Sequence, residues 1–299
     1  MLVGIADAAA KIRNGGIVAF PTETVYGLGA NGLNAAAVAK VFEAKGRPST
    51  SPLIVHVGSI EMALEIVAEW PPLADQLARR WWPGPLTLVL PKKPCVPDIV
   101  TAGLATVGVR MPSHPVALEL IREAGVPIAA PSANRFTGLS PTTADHVRHA
   151  FGDLIDVLEG GACAVGIEST VVAVEGDKLT LLRPGMISLG ELEQAATEVG
   201  ASHPAPGMHA RHYSPRTRLL LVKDRDELPG REGAYVWRKS NAITARCVHM
   251  PMDAASYAAR LYSVLHELDG EGWPWIAVEL PPDKPAWAAV RDRLQRAAG

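Results

Sequence analysis

Cysteine is scarce: Cys95, Cys163 and Cys247 stand far apart in 299 residues and form neither a CxxC pair nor an even set for disulfides. That pattern favours a reduced, cytosolic protein. No uninterrupted apolar run is long enough to cross a bilayer, so no membrane partner is expected. The N-terminal apolar stretch is broken by Asp7 and followed by Lys11 and Arg13, the reverse of a secretory signal's order. A formal net charge of -2 supplies no bulk attraction for nucleic acid, and any polyanion contact has to be built locally. The chain has no GxxxxGK[ST], GxSxG or HExxH, which removes the commonest NTPase, hydrolase and metalloprotease signatures. It also lacks internal repeats, which excludes a solenoid.

What is present is a globular composition, 48% hydrophobic and 20% charged, with room for one large core or two smaller ones. Short apolar runs rich in Val and Ile read as strands at 16–20, 53–57, 86–90, 106–110, 128–130, 169–174 and 179–182. Helical patterns lie between them, at 34–44 with Val38, Val41 and Phe42 on one face, and at 59–69 behind a capping Ser59. Glu175-Gly176-Asp177-Lys178 reads as a hairpin turn, so the sheet is expected to be mixed. Ser188 and Glu191 form a capping box for a helix predicted to end near Gly200. From 201 to 217, Pro204, Pro206, Gly207 and Pro215 break any helix, marking a linker. Runs at 218–222, 234–237, 246–250 and 275–280 then alternate with amphipathic stretches at 253–268 and 283–297. The predicted organisation is an α/β domain over 1–200, a linker over 201–217 and a small second α/β domain over 218–299.

Gly27-Leu28-Gly29-Ala30-Asn31-Gly32 satisfies GxGxxG. A dinucleotide-binding turn is nonetheless rejected, because Pro21 to Tyr26 separate it from the preceding strand and no acidic residue follows about 20 positions later. The chemistry concentrates instead in small polar residues at strand ends. Pro21 to Gly27 brings two hydroxyls, a carboxylate and a phenol into one loop. Lys45-Gly46-Arg47 closes a helix, and two readings stand open. Charge favours a C-terminal cap, whereas a ligand reading has both cations reach a triphosphate, with Ser51 adding a hydroxyl. A lone His56 at a strand end is usually structural. In Thr106-Val107-Gly108-Val109-Arg110, alternation puts Thr106, Gly108 and Arg110 on one face. Thr106 and Arg110 then lie ~13 Å apart, about the reach of an extended aminoacyl-adenylate-like molecule. Arg110 suits a planar carboxylate, with an intramolecular ion pair as the competing reading. The pairs His146/His149 and His209/His212 lack a third ligand and read as solvated surface.

Together these segments resemble the YrdC-type threonylcarbamoyl-adenylate synthases in their longer, two-domain form. The resemblance runs from Gly15 to Tyr213 and rests on Pro21-Thr22-Glu23-Thr24-Val25-Tyr26-Gly27-Leu28, Lys45-Gly46-Arg47-Pro48, Pro52-Leu53-Ile54-Val55-His56, Trp82-Pro83-Gly84-Pro85-Leu86-Thr87, Val109-Arg110-Met111-Pro112, Ala130-Pro131-Ser132-Ala133-Asn134, Glu168-Ser169-Thr170-Val171 and Leu182-Arg183-Pro184-Gly185. It implies a mixed twisted sheet with flanking helices, followed by a smaller Rossmann-like domain. It further implies ATP-dependent condensation of L-threonine with bicarbonate or carbon dioxide, releasing pyrophosphate, for modification of tRNA beside the anticodon.

Carried over by motif, threonine meets Thr24, His56, Arg110, the backbone at Ala130, and Ser169. ATP meets Arg47, Ser51, Thr106, Ser132, Ser140, Arg183 and Tyr213, with Lys45 as a further phosphate neighbour and magnesium accompanying the nucleotide. Many relatives carry asparagine at the position of Ser51. The residues offer no obvious nucleophile, so catalysis is assigned to positioning and charge neutralisation by Lys45, Arg47, Arg110 and Arg183, with the linker and Tyr213 as a lid. The partner implied downstream is the tRNA threonylcarbamoyl transferase machinery, and a weak tRNA contact is compatible with the charge. Two rivals are a non-enzymatic RNA-binding module and a carbamoyltransferase; for the latter's cysteine-rich zinc modules three scattered cysteines are too few.

Overall fold

The computed structural model of the protein describes residues 1–194, 198–199 and 212–299. Its strands are β1 (Leu2–Val3), β2 (Val18–Phe20), β3 (Gly27–Asn31), β4 (Ile54–His56), β5 (Leu86–Pro91), β6 (Thr106–Arg110), β7 (Ile128–Ala129), β8 (Asp156–Leu158), β9 (Thr170–Glu175), β10 (Lys178–Arg183), β11 (Glu198–Val199), β12 (Leu219–Val222), β13 (Ala234–Trp237), β14 (Arg246–His249) and β15 (Ile276–Glu279). The helices are α1 (Ile5–Arg13), α2 (Ala35–Lys45), α3 (Ile60–Ile66), α4 (Pro72–Trp81), α5 (Asp98–Thr101), α6 (Pro115–Ala124), α7 (Ala144–Phe151), α8 (Leu189–Glu193), α9 (Ala254–Glu271) and α10 (Ala288–Ala298). Among the described residues no helix is long and apolar enough to cross a membrane.

The first eleven strands form one sheet in the order β1-β8-β2-β3-β7-β4-β6-β5-β9-β10-β11. It is mixed, as the hairpin implied: β9 and β10 run antiparallel through a turn at Gly176-Asp177, while β4 and β6 run parallel. Helix α2 starts where Asn34 accepts the Ala37 N–H and stops at Gly46, whose left-handed backbone (φ 63°) ends the ladder. Its apolar stripe, Val38, Val41 and Phe42, is buried as predicted.

Three expectations shift. The GxGxxG stretch is itself a strand: β3 pairs antiparallel with β2, and a Cβ at Gly29 would stand 2.7 Å from both Phe20 and Ile128. Those glycines serve strand packing. Helix α3 ends at Ile66 instead of 69, because Val67 turns extended to bridge Lys92 and Ala68 donates to Pro91. Helix α8 forms with its capping box but ends at Glu193, and Glu198–Val199 pairs with the otherwise open edge of β10. Most of the expected linker, 201–211, lies outside the described residues.

The second domain is a wholly parallel sheet, β12-β15-β13-β14, with α9 and α10. Its apolar core continues into the first domain through Val25, Leu139 and Ile167. At this junction Gly166 adopts φ 76°, and a Cβ there would stand 2.6 Å from the Ala259 Cα of α9. Only glycine permits so close a docking.

Candidate functional site

A cavity opens where the ends of β4, β6 and β10 and the loops around β7 and β9 converge. The loop after β2 is shaped by Thr22, whose hydroxyl donates to the Val25 carbonyl and accepts the Thr24 and Val25 N–H groups. That turn presents Thr24 to the cavity. Strands β4 and β6 pair in register with His56 beside Arg110, which delivers both side chains to the same place.

Arg110 makes the intramolecular ion pair and also lines the cavity. It donates from Nη1 to Thr24 Oγ1 at 2.8 Å and from Nε to the Gly84 carbonyl at 3.2 Å, while Nη2 lies 2.6 Å from Glu23 Oε1. That last contact is an ion pair without hydrogen-bond alignment, since neither atom has a directional partner. His56 is buried and packs edge-on to Phe20. Burial, then the Arg110 charge, push its pKa down to about 3, which keeps the imidazole neutral. Ala130 closes this end of the cavity.

Two further guanidiniums, those of Arg183 and Arg47, line the cavity. Arg183 donates from Nε to the Ser169 carbonyl at 3.1 Å and from Nη2 to Ser169 Oγ at 3.0 Å, and Ser169 in turn meets Thr87 Oγ1 at 2.8 Å. Arg47 donates from Nη2 to the Pro52 carbonyl at 3.3 Å, while its buried Nε has no protein partner. Burial lowers the Arg47 pKa to about 10, with the Arg183 charge adding to the effect. Two guanidiniums facing one buried space make an environment for an anion. Ser132 and Tyr213 complete the wall. Tyr213 is held in the left-handed region at φ 62°, an uncommon conformation for an aromatic residue.

Four predicted residues do not line this cavity. Thr106 lines a smaller adjoining pocket that shares Pro52, Leu53 and Ile54 with the cavity. Ser140 lies behind the wall and donates to Glu168 Oε1 at 2.5 Å. Ser51 offers Arg47 its backbone carbonyl at 3.5 Å. Lys45 is neither an exposed cap nor a cavity-lining cation, because its buried ammonium donates to the Ser132 carbonyl at 2.6 Å and to Asn134. It ties the Ser132 loop to α2. Burial, then Arg47, drive its pKa well down, yet its three acceptors on Ser132 and Asn134 match an ammonium's three donors.

The expectation of solvated histidines fails for two of them. His146 is half-buried and stacks on His266 of α9 at 4.0 Å, and His212 is buried beside Tyr213. Domain docking covers both, which no local pattern foretold. His209 lies outside the described residues, and among those described no cluster of three or more His, Cys, Asp or Glu side chains is disposed to hold a metal. Sequence reasoning also assigned no role to Glu23, Glu168 or Arg293. Glu168 carried one signal, a carboxylate abutting an apolar strand; Arg293 carried none, sitting in an ordinary amphipathic helix.

Residues 10–185 match a family described as "Telomere recombination", and residues 187–299 match "Threonylcarbamoyl-AMP synthase, C-terminal domain". The chain is 43% identical to threonylcarbamoyl-AMP synthase of Pyrococcus abyssi, over 99% of this chain and 94% of the relative. It is 40% identical to that of Bacillus subtilis, over 99% and 93%. Its fold superposes on Sua5 of P. abyssi, solved in complex with L-threonine, with a TM-score of 0.91 at 39% identity, covering 98% of this chain and 94% of the other.

Proposed function

The chain belongs to the threonylcarbamoyl-AMP synthase family, and from that premise we propose that it condenses L-threonine, bicarbonate and ATP into L-threonylcarbamoyladenylate, releasing pyrophosphate. The family's role makes the adenylate a donor for threonylcarbamoyladenosine in tRNA, through a separate transferase. The observation that supports the reading is a single cavity lined by Arg110 together with the two guanidiniums of Arg47 and Arg183.

Threonine's carboxylate meets Arg110 Nη2, and its hydroxyl lies toward Thr24 and His56. His56, neutral, adds hydrogen-bonding capacity without charge. The threonine amine captures carbon dioxide or bicarbonate as a carbamate. A carbamate oxygen attacks the α-phosphorus of ATP, the bond to the bridging oxygen breaks, and pyrophosphate departs. Arg47 and Arg183 disperse the phosphate charge as it shifts to the leaving group, so rate enhancement comes from alignment and electrostatics without a covalent enzyme intermediate. Magnesium arrives on the phosphates as part of the substrate: the buried carboxylates Glu23 and Glu168 are each committed to an arginine. Ser132 and Tyr213 border the nucleotide, and Tyr213 helps to keep water from the carbamate and the mixed anhydride. Lys45 acts through the Ser132 loop. The test is pyrophosphate release with threonine and bicarbonate omitted in turn. Each omission should abolish it, and indifference to threonine would refute the reading.

A further inference from the structure

Helix α10 of the second domain carries an arginine with no exposed area. Arg293 donates from Nε to Glu168 Oε2 at 2.7 Å, from Nη2 to the Pro184 carbonyl at 3.1 Å and from Nη1 to Asp292 at 2.6 Å. Its guanidinium carbon stands 5.3 Å from the centre of the Tyr213 ring. Tyr262 of α9 joins it, donating to Glu168 Oε2 at 3.2 Å. Glu168 and Tyr213 line the cavity, and Pro184 directly follows Arg183, which lines it too.

Stability alone is a poor account of this arrangement, since a buried ion pair is on average no better than apolar packing of the same shape. A function for it follows from position. Glu168 is a carboxylate beside the wall that receives a triphosphate, and unpaired it would repel the nucleotide. Burial would raise its pKa, but the charges of Arg293 and Arg183 and the Ser140 hydrogen bond outweigh burial and keep it ionised. The repulsion therefore has to be cancelled by a cation rather than by a proton.

Resting on the synthase reading, we infer that Arg293 is a positioning residue for ATP: it neutralises Glu168 and clamps Tyr213 and the end of β10, so that the second domain completes the nucleotide end of the cavity. Arg293 itself does not line the cavity. It acts through Glu168, Tyr213 and Arg183, and it gives the second domain a part in the reaction.

The test is calorimetric binding of ATP and, separately, of L-threonine to the full chain as wild type, Arg293→Met, Arg293→Lys and the double variant Arg293→Met/Glu168→Gln, each checked for a cooperative melt. Arg293→Met should weaken ATP binding about tenfold or more while threonine affinity stays within about twofold, because Glu168 then faces the nucleotide without its ion-pair partner. Arg293→Lys should recover part of the loss, its ammonium pairing with Glu168 but lacking the fork that also reaches Pro184. The double variant should recover most of it, leaving no unpaired charge. A folded Arg293→Met protein with wild-type ATP affinity would overturn the inference. So would equal losses of ATP and threonine affinity that the double variant fails to repair. A wild type that binds ATP yet releases no pyrophosphate with threonine and bicarbonate would count against the synthase reading alone, since the ATP-binding comparison still judges Arg293.

Discussion

At the Arg110 end of the cavity every wall residue comes from the first domain, within a few positions of a strand of the large sheet. At the Arg183 end the wall includes His212 and Tyr213, held from behind by α9 and α10 of the second domain. The His212 N–H donates to the Arg296 carbonyl, and the Arg293 guanidinium covers the Tyr213 ring. One end is thus set by hydrogen bonds among neighbouring strands and the other by domain docking. Threonine binding should tolerate disturbance of the second domain, and ATP binding should not.

The largest expected effect comes from breaking the single-domain end. Arg110→Ala removes the carboxylate donor and leaves Glu23 buried without its partner, so threonine-dependent pyrophosphate release should fall about 100-fold or more. Calorimetry should find ATP affinity little changed, and a larger loss for ATP than for threonine would erase the distinction between the ends. Next comes the docking surface. Gly166→Ala puts a side chain against α9 at a left-handed backbone position, and should lower stability by about 1–3 kcal/mol and weaken ATP before threonine. Denaturant midpoints and the same binding assays report both.

Acid should act on both regions. His56 and His266 have pKa values lowered by burial to about 3 and about 4, against 6.5 for a free histidine. Between those values the unfolded chain binds protons that the folded chain refuses, so stability is complete above about pH 6.5 and declines as pH falls. His266→Gln should lessen the difference between urea midpoints at about pH 7.5 and pH 5 by removing the junction's share; an unchanged difference would exclude His266 as a contributor. The smallest effect is expected at Ser51, which does not line the cavity. Ser51→Ala should change the KM for ATP less than about threefold, and a larger change would show that its hydroxyl takes part.

The same division explains what could be read in advance. Strand alternation singled out Arg110, whereas Thr24, His56, Ser132, Ser169 and Arg183 were assigned through the family's motifs; all six line the cavity, each on or near a strand of the large sheet. The identity of the substrates came through the family's motifs, not through charge or spacing. Thr106 shares a strand face with Arg110, but alternation could not show that Thr106 lines a smaller adjoining pocket instead of the cavity that holds Arg110. Lys45 looked like a cation free to reach a phosphate, and only the approach of the Ser132 loop turned it inward. Arg293, Tyr262 and His266 belong to helices more than 90 residues from their partners, and no local pattern carries that contact.

The most direct test is the identity of the nucleotide product formed from ATP, L-threonine and bicarbonate labelled with carbon-13. The proposed attack of a threonine carbamate on ATP predicts an adenylate carrying the label; an unlabelled threonyl-adenylate, or no adenylate at all, would contradict it.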